Sequence, residues 1–306
     1  MTTTAISTLD LGRGKKSGNL ERSRSRQGRL VAWALVAPAL LALLVSYAYP
    51  LAWMIRMSFN IGQGNGLYTT TFSLDSYIKP LTEAYYWQVI GNTLFLGVLV
   101  AVLCVAVSYP IALFLAKSTS RWRSLLVALA IAPLLTSAVV RTFGWLVILG
   151  SQGLVNSTLT SLGLTSAPLP LANSFTGVVI GLVEIFMPYA ILGMMSGFGR
   201  LSPELEEAAS SLGASRRSVF LRITLPLSLP GLLTAFLLVF VLSISTFVTP
   251  QLLGGGRVHV MATEIYDQTT GLLNWPFAAS LSVILLILFG TVVALYQRLA
   301  RRLGAS

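Results

Sequence analysis

A chain of 306 residues that is 55% hydrophobic and only 10% charged, with a mean hydropathy of +0.77, is no ordinary soluble domain, since those carry about a quarter charged residues. Its single cysteine and single histidine exclude an internal disulfide, a Cys/His metal cluster and nearly every hydrolytic constellation. The formal charge of +11 requires no nucleic acid, because the basic residues are segregated along the chain as a membrane-topology signal.

Residues 1–29 are polar and rich in Ser, Gly and Arg, and include Arg13, Lys15, Lys16, Arg22, Arg24, Arg26 and Arg29. Such a segment is expected to lack fixed structure and to serve as a basic juxtamembrane anchor, not a nucleic-acid-binding arm. The uncharged run 30–55 is far longer than the roughly 7–15 apolar residues of a signal peptide, so it reads as a retained first span. Five more runs fit a hydrocarbon layer ~30 Å thick: 88–116, 124–149, 173–199, 225–253 and 275–297. The predicted fold class is an all-α polytopic membrane protein with six transmembrane helices. Pro38, Pro50, Pro110, Pro133 and Pro188 lie within or near the ends of these runs. Neighbouring helices re-satisfy the carbonyls that proline frees, so kinks are expected there, not breaks. Before the second span, Tyr77, Tyr85, Tyr86 and Trp87 suggest an interfacial belt on a short helix lying along the membrane. Cys104 reads as a small packing residue and His259 as an exposed loop residue.

Basic residues give the orientation. Lys117, Arg121 and Arg123 follow the second span, and Arg200, Arg216, Arg217 and Arg222 follow the fourth. Arg298, Arg301 and Arg302 follow the sixth, whereas, apart from Arg56 at the outer end of the first span, the remaining connections hold only Lys79 and Arg257. Both termini, and the loop between the fourth and fifth spans, are therefore expected to be cytoplasmic.

Three spans carry polar residues that need explaining. Glu184 lies about eleven residues, roughly 16 Å, into the fourth span. A carboxylate at that depth costs at least ~2.5 kcal/mol. It reads either as lining a solute pathway with Tyr189, where it would offset a cationic cargo, or as a protonated structural hydrogen-bonding group. Arg141 is displaced from Glu184 by roughly 10 Å along the membrane normal, and is expected to snorkel to the outer interface, as is Arg56. Ser243, Thr246 and Thr249 recur every three residues and would share one face of a continuous helix. They would line the pathway beside Glu184 or join neighbouring helices.

The loop 201–224 is short, polar and basic between two apolar runs. Ser202 is placed to cap a helix whose first residue is Pro203. Glu204, Glu206 and Glu207 crowd its first turn or so, where the helix dipole favours negative charge. Ala208 and Ala209 are small enough for a partner surface to approach closely, and Gly213 supplies a positive φ. A second short basic helix, 215–222, is expected before Pro226 opens the fifth span. An amphipathic hairpin lying on lipid is disfavoured, because the acidic first turn would face an anionic leaflet.

Glu207-Ala208-Ala209, then Gly213, then Ile223-Thr224-Leu225-Pro226 resembles the conserved loop of permease subunits of binding-protein-dependent ABC importers, at every defining position. The resemblance covers roughly residues 92–299. Phe247-Val248-Thr249-Pro250-Gln251-Leu252-Leu253-Gly254-Gly255-Gly256-Arg257 and Ser73-Leu74-Asp75-x-Tyr77 are similar to the spermidine/putrescine branch, whose wider relatives also import phosphonates and ferric iron. This implies a type I importer permease fold in a bacterial inner membrane, with a 30–58 first helix, an 88–300 core and a 301–306 cytoplasmic end. It also implies that the Glu204–Ser211 helix, with Glu207, Ala208, Ala209, Gly213, Arg216 and Arg217, seats on a separate ATPase that binds ATP and Mg. The other implied partners are a second, homologous permease and an extracytoplasmic solute-binding protein. The chain itself would have no catalytic residue: no G-x-x-x-x-G-K-[ST] phosphate loop occurs. The rival reading is an ion-coupled carrier or channel working without an ATPase, which would show discontinuous helices and an internal repeat. Neither is evident in the sequence.

Overall fold

The computed structural model describes residues 14–302, in two units divided between Arg56 and Met57. The first unit is one helix, α1 (Gly14–Met57), unbroken through Pro38 and Pro50. Its stretch Val36–Met57 is long and apolar enough to cross a membrane, and Tyr49 stacks on Trp53 one turn later. Residues 1–13 of the basic tail lie outside the described residues. Residues 14–29, expected to lack fixed structure, are helical. The reason is continuity: a helix already nucleated by the apolar run extends through Lys-, Arg- and Gln-containing sequence at little further cost.

The second unit opens with an antiparallel hairpin, β1 (Ile61–Gly64) and β2 (Leu67–Thr69), in which Ile61 faces Thr69. Then come α2 (Asp75–Thr82) and α3 (Ala84–Lys117). The expected aromatic belt is divided between them. Tyr77 on α2 shares a 2.6 Å hydrogen bond with Ser58, whereas Tyr86 is buried edge-on against Phe277. Apolar burial outweighs interfacial anchoring for that ring.

The third apolar run is broken. Helix α4 (Arg123–Ile131) tightens into a 3₁₀ turn at Ala132–Leu135, and α5 (Ala138–Ile148) leaves at 90°. Pro133 supplies no N–H, and Thr136 and Ser137 are extended, so the hydrogen-bond ladder stops there and does not merely kink. After α6 (Leu154–Ser161), α7 (Phe175–Gly197) begins at Ser174, whose hydroxyl caps the N–H of Gly177 at 3.1 Å. The inner loop holds α8 (Pro203–Ser211) and α9 (Arg216–Val219). The latter passes through a π-helical turn, Phe220–Thr224, into α10 (Leu225–Ser245). The expected separate helix 215–222 is thus the start of the fifth span, which itself ends at Ser245, well short of residue 253. The Ser245 hydroxyl donates back to the carbonyls of Val241 and Leu242, and Thr246 is extended. Beyond this break lie α11 (Val248–Leu253), α12 (Met261–Thr270) and α13 (Trp275–Arg302). Among the described residues, five helices are long and apolar enough to span a membrane, six when α4 with α5 counts as one bent span. The protein is an all-α polytopic membrane protein, and two of its apolar runs are discontinuous where the sequence suggested continuity.

Helices α3, α7 and α10 pack pairwise and hold the core. Leu96, Val100 and Cys104 meet Leu182, Phe186 and Met194, with Val239 and Phe240 on the third side. The seam between α7 and α10 is lined by small residues at four-residue spacing, Gly193 and Gly197 against Ala235 and Gly231. A Cβ on Gly197 would lie 2.3 Å from the Gly231 Cα, and one on Gly193 3.1 Å from the Ala235 Cα. Apolar side chains gain little by leaving lipid for protein, so close backbone approach of this kind is what holds membrane helices together.

Gly197→Ala is expected to cost about 1–3 kcal/mol by overpacking, read as a lowered thermal unfolding midpoint in detergent. Gly91→Ala on α3, where a Cβ would meet open space, leaves the midpoint unchanged or raises it.

Candidate functional site

The loop 201–224 is built in two parts, α8 and the start of the next helix. Helix α8 starts at Pro203, but Ser202 does not cap a backbone N–H: its hydroxyl donates to the Glu204 carboxylate. At the other end, Gly213 adopts φ +82°, its N–H bonds Ser210, and the Ala214 N–H reaches back to Ala209 at 3.1 Å. This paired 6→1 and 5→2 closure needs a left-handed residue, which is why glycine stands there. Ser215 then caps the next helix by accepting from the Ser218 N–H.

The three glutamates divide by direction. Glu204, Glu207 and Ala208 are exposed, Ala209 is half-buried, and Arg216 and Arg217 are exposed beyond the turn. Glu206 turns inward and accepts from the Lys117 ammonium at the end of α3 and from the Thr224 hydroxyl at 2.7 Å. Partial burial pushes its carboxyl upward, but the Lys117 and Thr224 hydrogen bonds and the lysine charge outweigh that and hold it below the usual glutamate range. Leu205 and Leu212 share the exposed face, Leu212 with 89% of its surface accessible. Sequence reasoning missed these two leucines. The available signal was an apolar residue directly before the turn of an otherwise polar helix. Together these residues present an exposed ridge of mixed acidic and apolar character.

The intramembrane charges are not separate. The Arg141 guanidinium donates to Glu184 Oε1 at 3.2 Å, and the Trp145 indole N–H donates to Oε2 at 3.2 Å. The snorkelling expected of Arg141 is therefore wrong. Counting residues along a straight helix placed it too far away, and the 90° bend before α5 brings it to α7. Arg141 is 13% accessible and Glu184 31%. Ser243, Thr246 and Thr249 do not share a helix face, because the chain breaks at Thr246. Ser243 and Thr249 are 2% and 1% exposed, and Thr249 shares a 3.0 Å hydrogen bond with Thr142 on α5. Tyr189 is half-buried, edge-on to Phe186. His259 is exposed as expected, with its ring against Tyr85, whose hydroxyl donates to the buried Glu264 at 2.9 Å. Beside the α10 break, Phe247 and Tyr266 stack 4.9 Å apart, and Gln251 donates to Asp267 at 3.4 Å.

The family of binding-protein-dependent transport system inner membrane components matches residues 108–304. The chain is 32% identical over 245 residues to the spermidine/putrescine transport system permease protein PotB of Haemophilus influenzae, covering 80% of this chain and 85% of that one. It is 33% identical over 233 residues to PotB of Escherichia coli, covering 76% and 84%. Its fold is similar to that of a chain in a bacterial ABC transporter involved in the import of the acidic polysaccharide alginate. That match has 17% identity and a TM-score of 0.70, and covers 93% of this chain and 99% of the other.

Arg141→Met strands the Glu184 carboxylate, and a loss of about 1–3 kcal/mol is expected, short of the fully buried case because Glu184 stays partly accessible. Adding Glu184→Gln recovers most of it, read as thermal midpoints in a double-mutant cycle. For Glu206 the native pKa is lowered, so its contribution is full above the unfolded glutamate pKa and is lost as pH falls through the native value. The midpoint difference between wild type and Glu206→Gln should accordingly be constant at neutral pH and close only in acid.

Proposed function

Because the chain belongs to the family of binding-protein-dependent transport system inner membrane components, as a non-catalytic, multi-pass inner-membrane permease subunit of an ABC importer, we propose that α8 docks on the ATPase and that the cargo is a polyamine. The observation that carries the docking assignment is the form of α8: small and acidic residues exposed, and a closed glycine turn at Gly213. Glu204, Glu207, Ala208, Ala209, Gly213, Arg216 and Arg217 form the coupling surface, to which Leu205 and Leu212 add the apolar anchor. ATP and Mg belong to the ATPase, not to this chain. A homologous second permease would complete the pathway, and a solute-binding protein would deliver cargo to the outer face. Both termini and α8 are assigned to the cytoplasm on the distribution of basic residues. The units are read as a basic tail to residue 29, a first membrane helix and an importer core over 88–300.

The polyamine assignment is supported by the relatives' substrate and by the chemistry beside the α10 break. A stacked aromatic pair adjoining a carboxylate suits organic ammonium groups. Glu184, Tyr189 and Thr246 keep accessible surface and are retained as pathway residues, whereas Ser243 and Thr249 are packed within the protomer. Since Arg141 neutralises Glu184, that carboxylate attracts a cation only if the pair opens.

Two measurements test these assignments. A tag on this chain should co-purify an ATPase, and Glu207→Arg or Gly213→Pro should reduce its recovery by about tenfold or more, as for central interface residues; full retention with both variants overturns the docking site. Cells whose spermidine uptake is unaffected by deleting this chain, and unaltered by excess putrescine, rule out the polyamine cargo.

A further inference from the structure

Helix α8 is joined by chain to only two of the three core helices. The 3₁₀ turn Phe198–Arg200 leads into it from α7, and α9 with the π-helical turn leads out to α10. Its link to α3 is not made by chain. It is made by Lys117, the last residue of α3, on the inward carboxylate of Glu206. The same oxygen, Oε1, accepts from Thr224, the buried last residue of the π-helical turn. One carboxylate oxygen thus gathers the inner ends of α3 and α10 on a single helix. Nearby, Tyr109 of α3 lies edge-on to Phe198 and Phe220 and shares a 3.1 Å hydrogen bond with Ser228 of α10, so the inner ends of α3, α7 and α10 are bridged around it.

From this geometry we infer that Glu206 is a positioning residue for ATP-driven transport, acting as the third mounting point that makes α8 move α3 together with α7 and α10. The inference rests on the reading of α8 as the ATPase-docking helix. On two chain connections alone, a lateral push on α8 turns it about the line joining them, and the displacement is taken up as slack in the loop. With Glu206 fixed to Lys117 and Thr224, rotation would have to stretch two charge-assisted hydrogen bonds, so the push is passed to the packed core. Glu206 faces inward and need not touch the ATPase at all. That separates its role from those of the exposed Glu204 and Glu207.

The test uses the complete importer, purified through a tag on this chain and placed in proteoliposomes with labelled spermidine as probe. Glu206→Gln, Lys117→Gln and Thr224→Val should each retain normal ATPase recovery. The first two should raise ATP hydrolysed per spermidine delivered by about tenfold, the size of a lost charged hydrogen bond. The exchanged pair Lys117→Glu with Glu206→Lys should restore the ratio. In parallel, nitroxide labels at Phe114→Cys, exposed on α3, and Ser211→Cys on α8, in a Cys104→Ala background, report the spacing of α3 from α8 with no solute present. That distribution should be narrow in wild type, broad in Glu206→Gln and narrow again in the exchanged pair. An unchanged coupling ratio with an unchanged distribution overturns the inference, as does loss of the ATPase itself from Glu206→Gln. A variant that fails to reach the membrane is replaced by Thr224→Val, which keeps both charges and must still broaden the distribution. Wild type that recovers no ATPase defeats the docking assignment instead, and wild type that hydrolyses ATP without moving spermidine defeats only the cargo.

Discussion

Helices α7 and α10 touch backbone to backbone, and the rest of the described core is arranged around that contact. Gly193 and Gly197 on one helix leave room for Ala235 and Gly231 on the other. In lipid the hydrophobic effect gives helices no reason to associate, so close dispersion contact and hydrogen bonds between helices must do it. The seam has a second consequence. It fixes the two helix ends between which the loop 201–224 is strung. Helix α3 closes the third side through Leu96, Val100 and Cys104.

Against that continuous trio stand the two interrupted runs. Helices α5 and α11 are short pieces beyond breaks at Pro133 to Ser137 and at Thr246, and they pack on each other through the Thr142–Thr249 hydroxyl pair. The bend that turns α5 also delivers Arg141 and Trp145 to Glu184. A charge within a low-dielectric layer is tolerable when it is paired and hydrogen-bonded, and Glu184 has both. The pair is also a cross-link between a broken span and a continuous one.

The inner loop shows how one short helix serves two surfaces. Glu204 and Glu207 lie on the exposed face, while Glu206, between them in sequence, is turned back onto Lys117 and Thr224. With 3.6 residues per turn, adjacent glutamates cannot point the same way. An acidic cluster read as one feature is therefore two: an exposed face and an inward ion pair.

Much of this was legible in the chain alone. Run length and the scarcity of charge determined the membrane class, and the positions of the α7 and α13 runs follow from hydropathy, because crossing hydrocarbon demands a minimum apolar length. The Gly213 turn was legible as well, since a positive φ strongly favours glycine. What the sequence could not fix is how the elements meet. The break at Thr136 looked like a proline kink, because nothing local says whether neighbouring helices will re-satisfy a lost hydrogen bond. Arg141 and Glu184, forty-three residues apart, were assigned to different depths until a 90° bend joined them. Nothing local marked Glu206 as an ion-pair partner until the end of α3 came within reach. Local propensity and burial length are properties of a segment, whereas a salt bridge between segments exists only once packing has set their relative height and rotation.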